Sequence, residues 1–174
     1  MECILTLPTP AMAEEIRAYR QAFLDTGSSM DGTGRLRQYE NPADWLSESA
    51  RCMKRETAPE GWVPATQPVY VRERDGKIVG MIQVRHEFND YLAKYGGHIG
   101  YSVRPDERRK GYASAMLRDA LPACRALGLD KVLVCCRTDN EGSRRTITGN
   151  GGVYECTVHD PEDGEDMERY WIAL

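Results

Sequence analysis

Residues 98–126 constrain this chain more than any other stretch: an apolar strand passes through a short basic, glycine-containing turn directly into a long helix. The strand reads His98-Ile99-Gly100-Tyr101-Ser102-Val103 and the turn Arg108-Arg109-Lys110-Gly111-Tyr112-Ala113. Ala113, Met116, Leu117, Ala120, Leu121, Cys124 and Leu127 then fall on the three-and-four spacing of a buried helical stripe. Pro122 predicts a kink or a split in that helix, because the Arg118 carbonyl loses its N–H partner. Gly128 supplies a stop. A helix start leaves backbone N–H groups without intrahelical partners at the positive end of the dipole, and Arg and Lys add full charges. Such a turn can be a solvated basic loop. Set between a strand and a helix, it is a phosphate site.

The segment after it fixes the topology. Lys131-Val132-Leu133-Val134-Cys135-Cys136 is a continuous apolar run of β-formers, as in a central strand. Joined through the helix to residues 98–104, it makes one β–α–β crossover and so a parallel pair inside a mixed sheet. Before it come a strand from Cys3 to Leu7, a helix from Thr9 or Pro10 to about Leu24, and a loop over residues 26–35 with three glycines. Asn41-Pro42 opens a second helix through about Lys54. Residues 56–67 read as an ordered loop with Trp62 as a packing anchor. Val69–Glu73 and Lys77–Arg85 flank an Asp75-Gly76 hairpin turn, and a polar loop leads through Gly96-Gly97. Asp139-Asn140-Glu141 caps a helix to about Thr148. Val153–Val158 and Glu168–Ala173 pair around the acidic turn 160–166. The expectation is one α/β domain over residues 1–174, with a mostly antiparallel twisted sheet and helices on both faces.

Bulk properties remove several functions. With 27 Asp and Glu against 23 Lys and Arg, the net charge of -4 argues against a nucleic-acid binder. The six cysteines have no Cys-x-x-Cys pair and read as free thiols in a reducing compartment, without zinc. No window approaches the roughly 18 apolar residues of a membrane span, and the N-terminus shows no signal pattern. The reading is a cytoplasmic protein with no membrane and no nucleic-acid partner; a homodimer is compatible with it.

The element order, with Val103-Arg104-Pro105 and Arg108-x-x-Gly111-x-Ala113, resembles the GNAT N-acetyltransferase superfamily across nearly the whole chain. The resemblance implies acetyl-coenzyme A as acyl donor, no metal, and an amine acceptor, most simply a small molecule. It implies that the parallel pair is splayed to hold the coenzyme. Val103 then matches the residue whose backbone meets the pantetheine and polarises the thioester carbonyl. Arg108 matches the first motif residue, and the backbone of Arg109, Lys110, Gly111, Tyr112, Ala113 and Ser114 matches the amides that hold the pyrophosphate. Asn140 matches an Asn that contacts the pantetheine arm, and Ser143 sits at a cofactor-facing position. The structural alternative for Asn140, an N-cap, is compatible with that role.

Acetyl transfer needs a neutral amine, and a lysine-like amine of pKa about 10.4 is neutral in roughly one molecule of a few thousand at pH 7. A base or water chain therefore matters. His98, His86 and Glu87 are the candidates, with His98 foremost because its strand leads to the coenzyme; the alternative is a His that closes the Gly96-Gly97 turn. The family commonly has Tyr seven residues after the Asn, where this chain has Ile147. That absence is tolerable, since a thiol leaves well as thiolate. The acidic turn at 160–166 is a solvated hairpin end or an attractor of cationic amines. Two functions remain: an acetyl-coenzyme A-dependent N-acetyltransferase, or a non-catalytic acyl-coenzyme A-binding sensor of the same fold. A nucleotide-binding protein is a weaker third, lacking Walker or Gly-x-Gly-x-x-Gly spacing.

Overall fold

One sheet runs through the chain, and its strand order sets where a ligand can enter. The computed structural model describes residues 2–174. Its elements are β1 (Cys3–Thr6), α1 (Ala13–Thr26), α2 (Pro42–Arg51), β2 (Ala65–Thr66), β3 (Val69–Arg72), β4 (Lys77–Arg85), β5 (Ile99–Val103), α3 (Tyr112–Ala126), β6 (Lys131–Arg137), α4 (Glu141–Gly149), β7 (Val153–Asp160) and β8 (Glu165–Ala173). The spatial order is β1-β3-β4-β5-β6-β8-β7, with β2 beside β4. Every pairing is antiparallel except β5 with β6.

Alternation along the strands divides the apolar residues into two layers. Val79, Ile82, Val84, Ile99, Val132 and Val134 face α3 and α4, packing on Met116, Leu117, Ala120 and Ile147. Val69, Val71, Ile78 and Met81 face α1 and α2, under Ile16, Tyr19, Phe23 and Trp45. Asn41 caps α2 by accepting the Ala43 N–H at 3.0 Å, with Pro42 at the first helical position as its spacing predicts.

Three details depart from expectation. Helix α3 runs through Pro122 unbroken: Pro122 and Arg118 lie on its exposed face, where the orphaned Arg118 carbonyl meets water. Trp62 is 39% exposed, with the Arg35 guanidinium 4.8 Å from its ring centre, so it is a stacking platform and not a core anchor. The polar loop before β5 contains a π-helical turn, Leu92–Gly96. Its carbonyls are gathered by two arginines: Arg169 donates to Ala93 and Lys94, and Arg85 to Gly96 and Gly97. No helix among the described residues is long and apolar enough to cross a membrane.

Candidate active site

Strands β5 and β6 touch at one register pair only, Ile99 with Val134, and then part. At that apex the His98 N–H donates to the Leu133 carbonyl at 2.8 Å, and the Leu133 N–H donates to His98 Nδ1 at 2.9 Å. The imidazole stands where a backbone partner would be. Beyond the apex the alternation of β5 decides what faces the gap. The His98 carbonyl and the Arg104 N–H both bond to β4. Backbone groups of the odd-numbered residues between them, Tyr101 and Val103, therefore point away from β4 into the V. The Val103 carbonyl accepts Arg108 Nε at 3.1 Å, which fixes that peptide plane.

At the wide end of the V lies the basic turn. Arg109 and Gly111 have left-handed φ values of 62° and 84°, and Gly111 caps α3 without a side-chain hydrogen bond. Backbone amides of Arg109, Lys110, Gly111, Ala113 and Ser114 donate to nothing among the described residues. That is the condition of an anion cradle. The side chains divide the work differently. Arg108 is turned back over the Phe23 ring, 5.6 Å from its centre. Lys110 donates to Glu107 at 2.8 Å. Arg109 alone of the three is exposed and unpaired among the described residues.

Glu107 braces this turn from below. It is 4% exposed and accepts from Lys110, from Lys77 at 2.7 Å and from Arg72 at 2.9 Å. Lys110 and Lys77, with Arg72, hold its carboxyl well below the usual carboxylate range. Across the V, Asn140 caps α4 by accepting the Ser143 N–H at 3.0 Å; its amide nitrogen has no partner among the described residues. Tyr101 reaches Ser143 Oγ at 2.7 Å, tying the two arms together. Burial, opposed by that hydrogen bond, raises the Tyr101 phenol pKa, so it stays protonated near neutrality. Asn150 donates to the Ser114 carbonyl at 3.1 Å and so fixes α4 against the start of α3.

A family model, the Acetyltransferase (GNAT) family, matches residues 35–149, a span that takes in the V, the basic turn and Asn140. The chain belongs to the GNAT acetyltransferase family. Comparison by sequence with curated proteins gives no match. Among solved structures, the ribosomal-protein-S5-alanine acetyltransferase of Vibrio fischeri superposes with a TM-score of 0.75 at 17% identity, over 99% of this chain and 93% of that one. The microcin C7 self-immunity acetyltransferase MccE, solved with acetyl-CoA and AMP, gives 0.71 at 18%, over 99% and 93%. RimJ of Mycobacterium smegmatis, solved with a CoA-disulfide, gives 0.69 at 20%, over 99% and 82%. At these identities the likeness is one of fold.

Within this GNAT fold the candidate bases are already engaged. Burial, and then the Arg85 charge, push the His98 imidazole down to about 4, and its acceptor nitrogen is occupied by Leu133. Phe88 stacks on it, ring centres 4.0 Å apart. His86 Nε2 is 2.7 Å from Thr66 Oγ1, and Glu87 is paired with Arg55. Ile147 is fully buried in the core beneath α4. The acidic turn is partly neutralised: Asp160 is 1% exposed and accepts from Tyr91, Asp166 meets His159, and Glu165 lies 3.5 Å from Arg137.

Sequence reading takes residues 26–35 as a plain flexible loop or a substrate-side lid and does not single out Gly32, on the other face of the apex. Gly32, in the loop after α1, presses onto β5 so closely that a Cβ there would sit 2.2 Å from the Gly100 carbonyl oxygen. The only linear signal was the glycine spacing of the loop.

Proposed function

We propose that this GNAT protein transfers the acetyl group of acetyl-coenzyme A to a primary amine of a small molecule or peptide, by direct attack on the thioester. The observation that carries the reading is the V: backbone groups of Tyr101 and the N–H of Val103, unpaired among the described residues, lead to five open amides at the start of α3. An amide-bearing pantetheine fits the gap as an added strand, and its diphosphate fits the amides. Arg109 adds the charge that Arg108 and Lys110 have committed elsewhere. Asn140 Nδ2 and Ser143 line the opposite arm.

The amine nitrogen bonds to the thioester carbonyl carbon and charge gathers on the oxygen. The Val103 N–H, whose peptide plane is held by the Tyr19 hydroxyl donating to the Ser102 carbonyl at 3.0 Å, is the donor for that oxyanion. Collapse breaks the carbon–sulfur bond and releases thiolate, while the ammonium proton passes to solvent on the open face. His98 holds the apex in shape and takes no proton. Six free cysteines suit work in a reducing cytoplasm.

A second reading, an acyl-coenzyme A sensor, is favoured by the buried Ile147 and the engaged lone pair of His98. Both proteins would melt higher with acetyl-coenzyme A. Only the transferase releases free thiol from it when amines are added, and a panel of peptides, polyamines and amino acids that releases none would leave the sensor.

A further inference from the structure

The N–H and the carbonyl of Val103 belong to two different peptide planes, and an oxyanion donor needs its own plane set before the reaction starts. Arg108 sets the carbonyl's plane. The N–H shares its plane with the Ser102 carbonyl, and Ser102 turns its backbone toward β4, as His98 and Arg104 do. Helix α1 reaches that carbonyl from outside the sheet. Tyr19 Oη donates to it at 3.0 Å and lies 2.9 Å from Ser102 Oγ. A carbonyl has two lone pairs, so the hydroxyl can bind beside the ladder partner Met81. Ser102 Oγ donates in turn to the phenol oxygen, which leaves the Tyr19 proton committed to the carbonyl.

Tyr19 is fully buried, and its neighbours on the same face of α1, Ile16 and Phe23, are apolar. A phenol there carries a desolvation cost that a phenyl ring would avoid, and the hydrogen bonds to Ser102 offset it. Burial raises the pKa of the phenol, so it keeps its proton and stays a donor across the neutral range. Phe23, one turn on, has its ring centre 5.0 Å from that of Tyr19 and lies under Arg108 at 5.6 Å. Glu15, one turn before, accepts the Ile78 N–H at 3.1 Å and ties the helix to β4. One stripe of α1 thus meets both planes of Val103, the phenol directly and the phenyl ring through Arg108.

We propose that Tyr19 is a positioning residue for acetyl transfer, aiming the Val103 N–H at the thioester oxygen and, by drawing on the Ser102 carbonyl, strengthening it as a donor. This rests on the acetyltransferase reading and adds to it a residue that touches neither substrate. Hydrogen bonds in series polarise one another by about 10–30% per bond. Here the series runs from the phenol to the carbonyl and from the amide N–H to the oxyanion. Charge on that oxygen grows as the amine attacks, so the gain is larger in the transition state than in the bound thioester. It belongs in kcat more than in coenzyme affinity.

Two measurements test this. In thiol release with the best amine of the panel, Tyr19→Phe should lower kcat about threefold to tenfold, the worth of one neutral hydrogen bond, with the Kd of acetyl-coenzyme A within about twofold of wild type. Infrared difference spectra of acetyl-coenzyme A labelled with carbon-13 at the thioester carbonyl, bound without an amine, read the polarisation directly. The wild-type band should lie below that of the free thioester and move back toward it in Tyr19→Phe. Ile16→Val, which opens a gap on the same face of α1, should leave the band in place. An unmoved band in Tyr19→Phe, an equal return in Ile16→Val, or a loss confined to Kd overturns the proposal. If Tyr19→Phe does not fold, 3-fluorotyrosine at position 19 keeps ring and hydroxyl and donates more strongly: the band should fall further, and an unmoved band overturns the proposal. Silence with every amine refutes the transferase reading instead. The spectra then decide this one alone: a band that follows the residue at position 19 upholds the aim of the Val103 N–H, and a fixed band or no bound thioester overturns it.

Discussion

His98 closes the V with its side chain in place of a backbone group, and this makes the apex sensitive to acid. The imidazole accepts the Leu133 N–H only while Nδ1 is unprotonated. Its pKa is pushed from an ordinary 6.5 to about 4 in the folded state. In the window between these values the unfolded chain binds the proton and the native chain does not, so stability rises with pH there. The contribution is complete above pH 6.5 and is lost as pH falls toward 4. The whole shift amounts to roughly 3 kcal/mol, of which about 2 kcal/mol falls between pH 7 and pH 5. The residue is 5% exposed, so solvent screening takes little of this away.

Asn at position 98 keeps an oxygen acceptor but does not titrate. Urea unfolding of wild type and His98→Asn at pH 7 and pH 5 isolates the effect: the wild type should lose about 2 kcal/mol more than the variant. Equal losses would refute the assignment of His98 as a neutral acceptor. Thiol release supplies the second arm. A general base in this place would cost on the order of a hundredfold to ten-thousandfold in kcat/KM when replaced. The positioning role predicts turnover within about tenfold of wild type, with weaker acetyl-coenzyme A binding as the larger change.

Glu107→Gln leaves Arg72, Lys77 and Lys110 facing one another around a neutral amide, and should lower stability by about 3 kcal/mol; urea titration measures it. The carboxylate's contribution, present above its ordinary pKa of 4.5 and lost as pH falls through its lowered folded value, should disappear from the acid melting curve of the variant. Gly32→Ala puts a Cβ 2.2 Å from the Gly100 carbonyl oxygen at a φ of 69°, so the loop must lift from β5. Steady-state kinetics should show the acceptor KM raised at least severalfold while acetyl-coenzyme A affinity, read by calorimetry, holds. Arg109→Ala removes the one unpaired cation of the turn, and acetyl-coenzyme A binding should weaken about threefold to tenfold at low salt, with a smaller difference at high salt.

The geometry proposed for the donor half was legible in the sequence for a physical reason. A diphosphate cradle is built from backbone amides, and those are fixed by local rules: a strand, a glycine at positive φ, a helix start. Period and turn chemistry within residues 98–126 were enough to place those three elements. Asn140 was legible in the same way, as an N-cap. The side-chain roles assigned to that turn were less so, because Arg108 and Lys110 have partners set by tertiary packing, Phe23 and Val103 for one, Glu107 for the other. Pro122 was read as a break because linear sequence does not show that it would face water.

The packing over the apex is non-local throughout. Arg85 reads in sequence as the polar end of a strand; only the fold brings it to the carbonyls of Gly96 and Gly97 and packs it beside Gly100 and Gly32. His98 reads as a base because a histidine near a coenzyme strand usually suits proton transfer; only the parting of β5 from β6 gives its lone pair a backbone partner. An enzyme of this design can keep its donor motif and exchange acceptors by altering the loop that meets β5 at Gly100. If that division holds, Gly32→Ala should change which amine reacts, Arg109→Ala should change how tightly the coenzyme binds, and neither effect should appear in the other's assay. An Arg109 variant with altered amine preference and unaltered coenzyme affinity would show that the two halves are coupled.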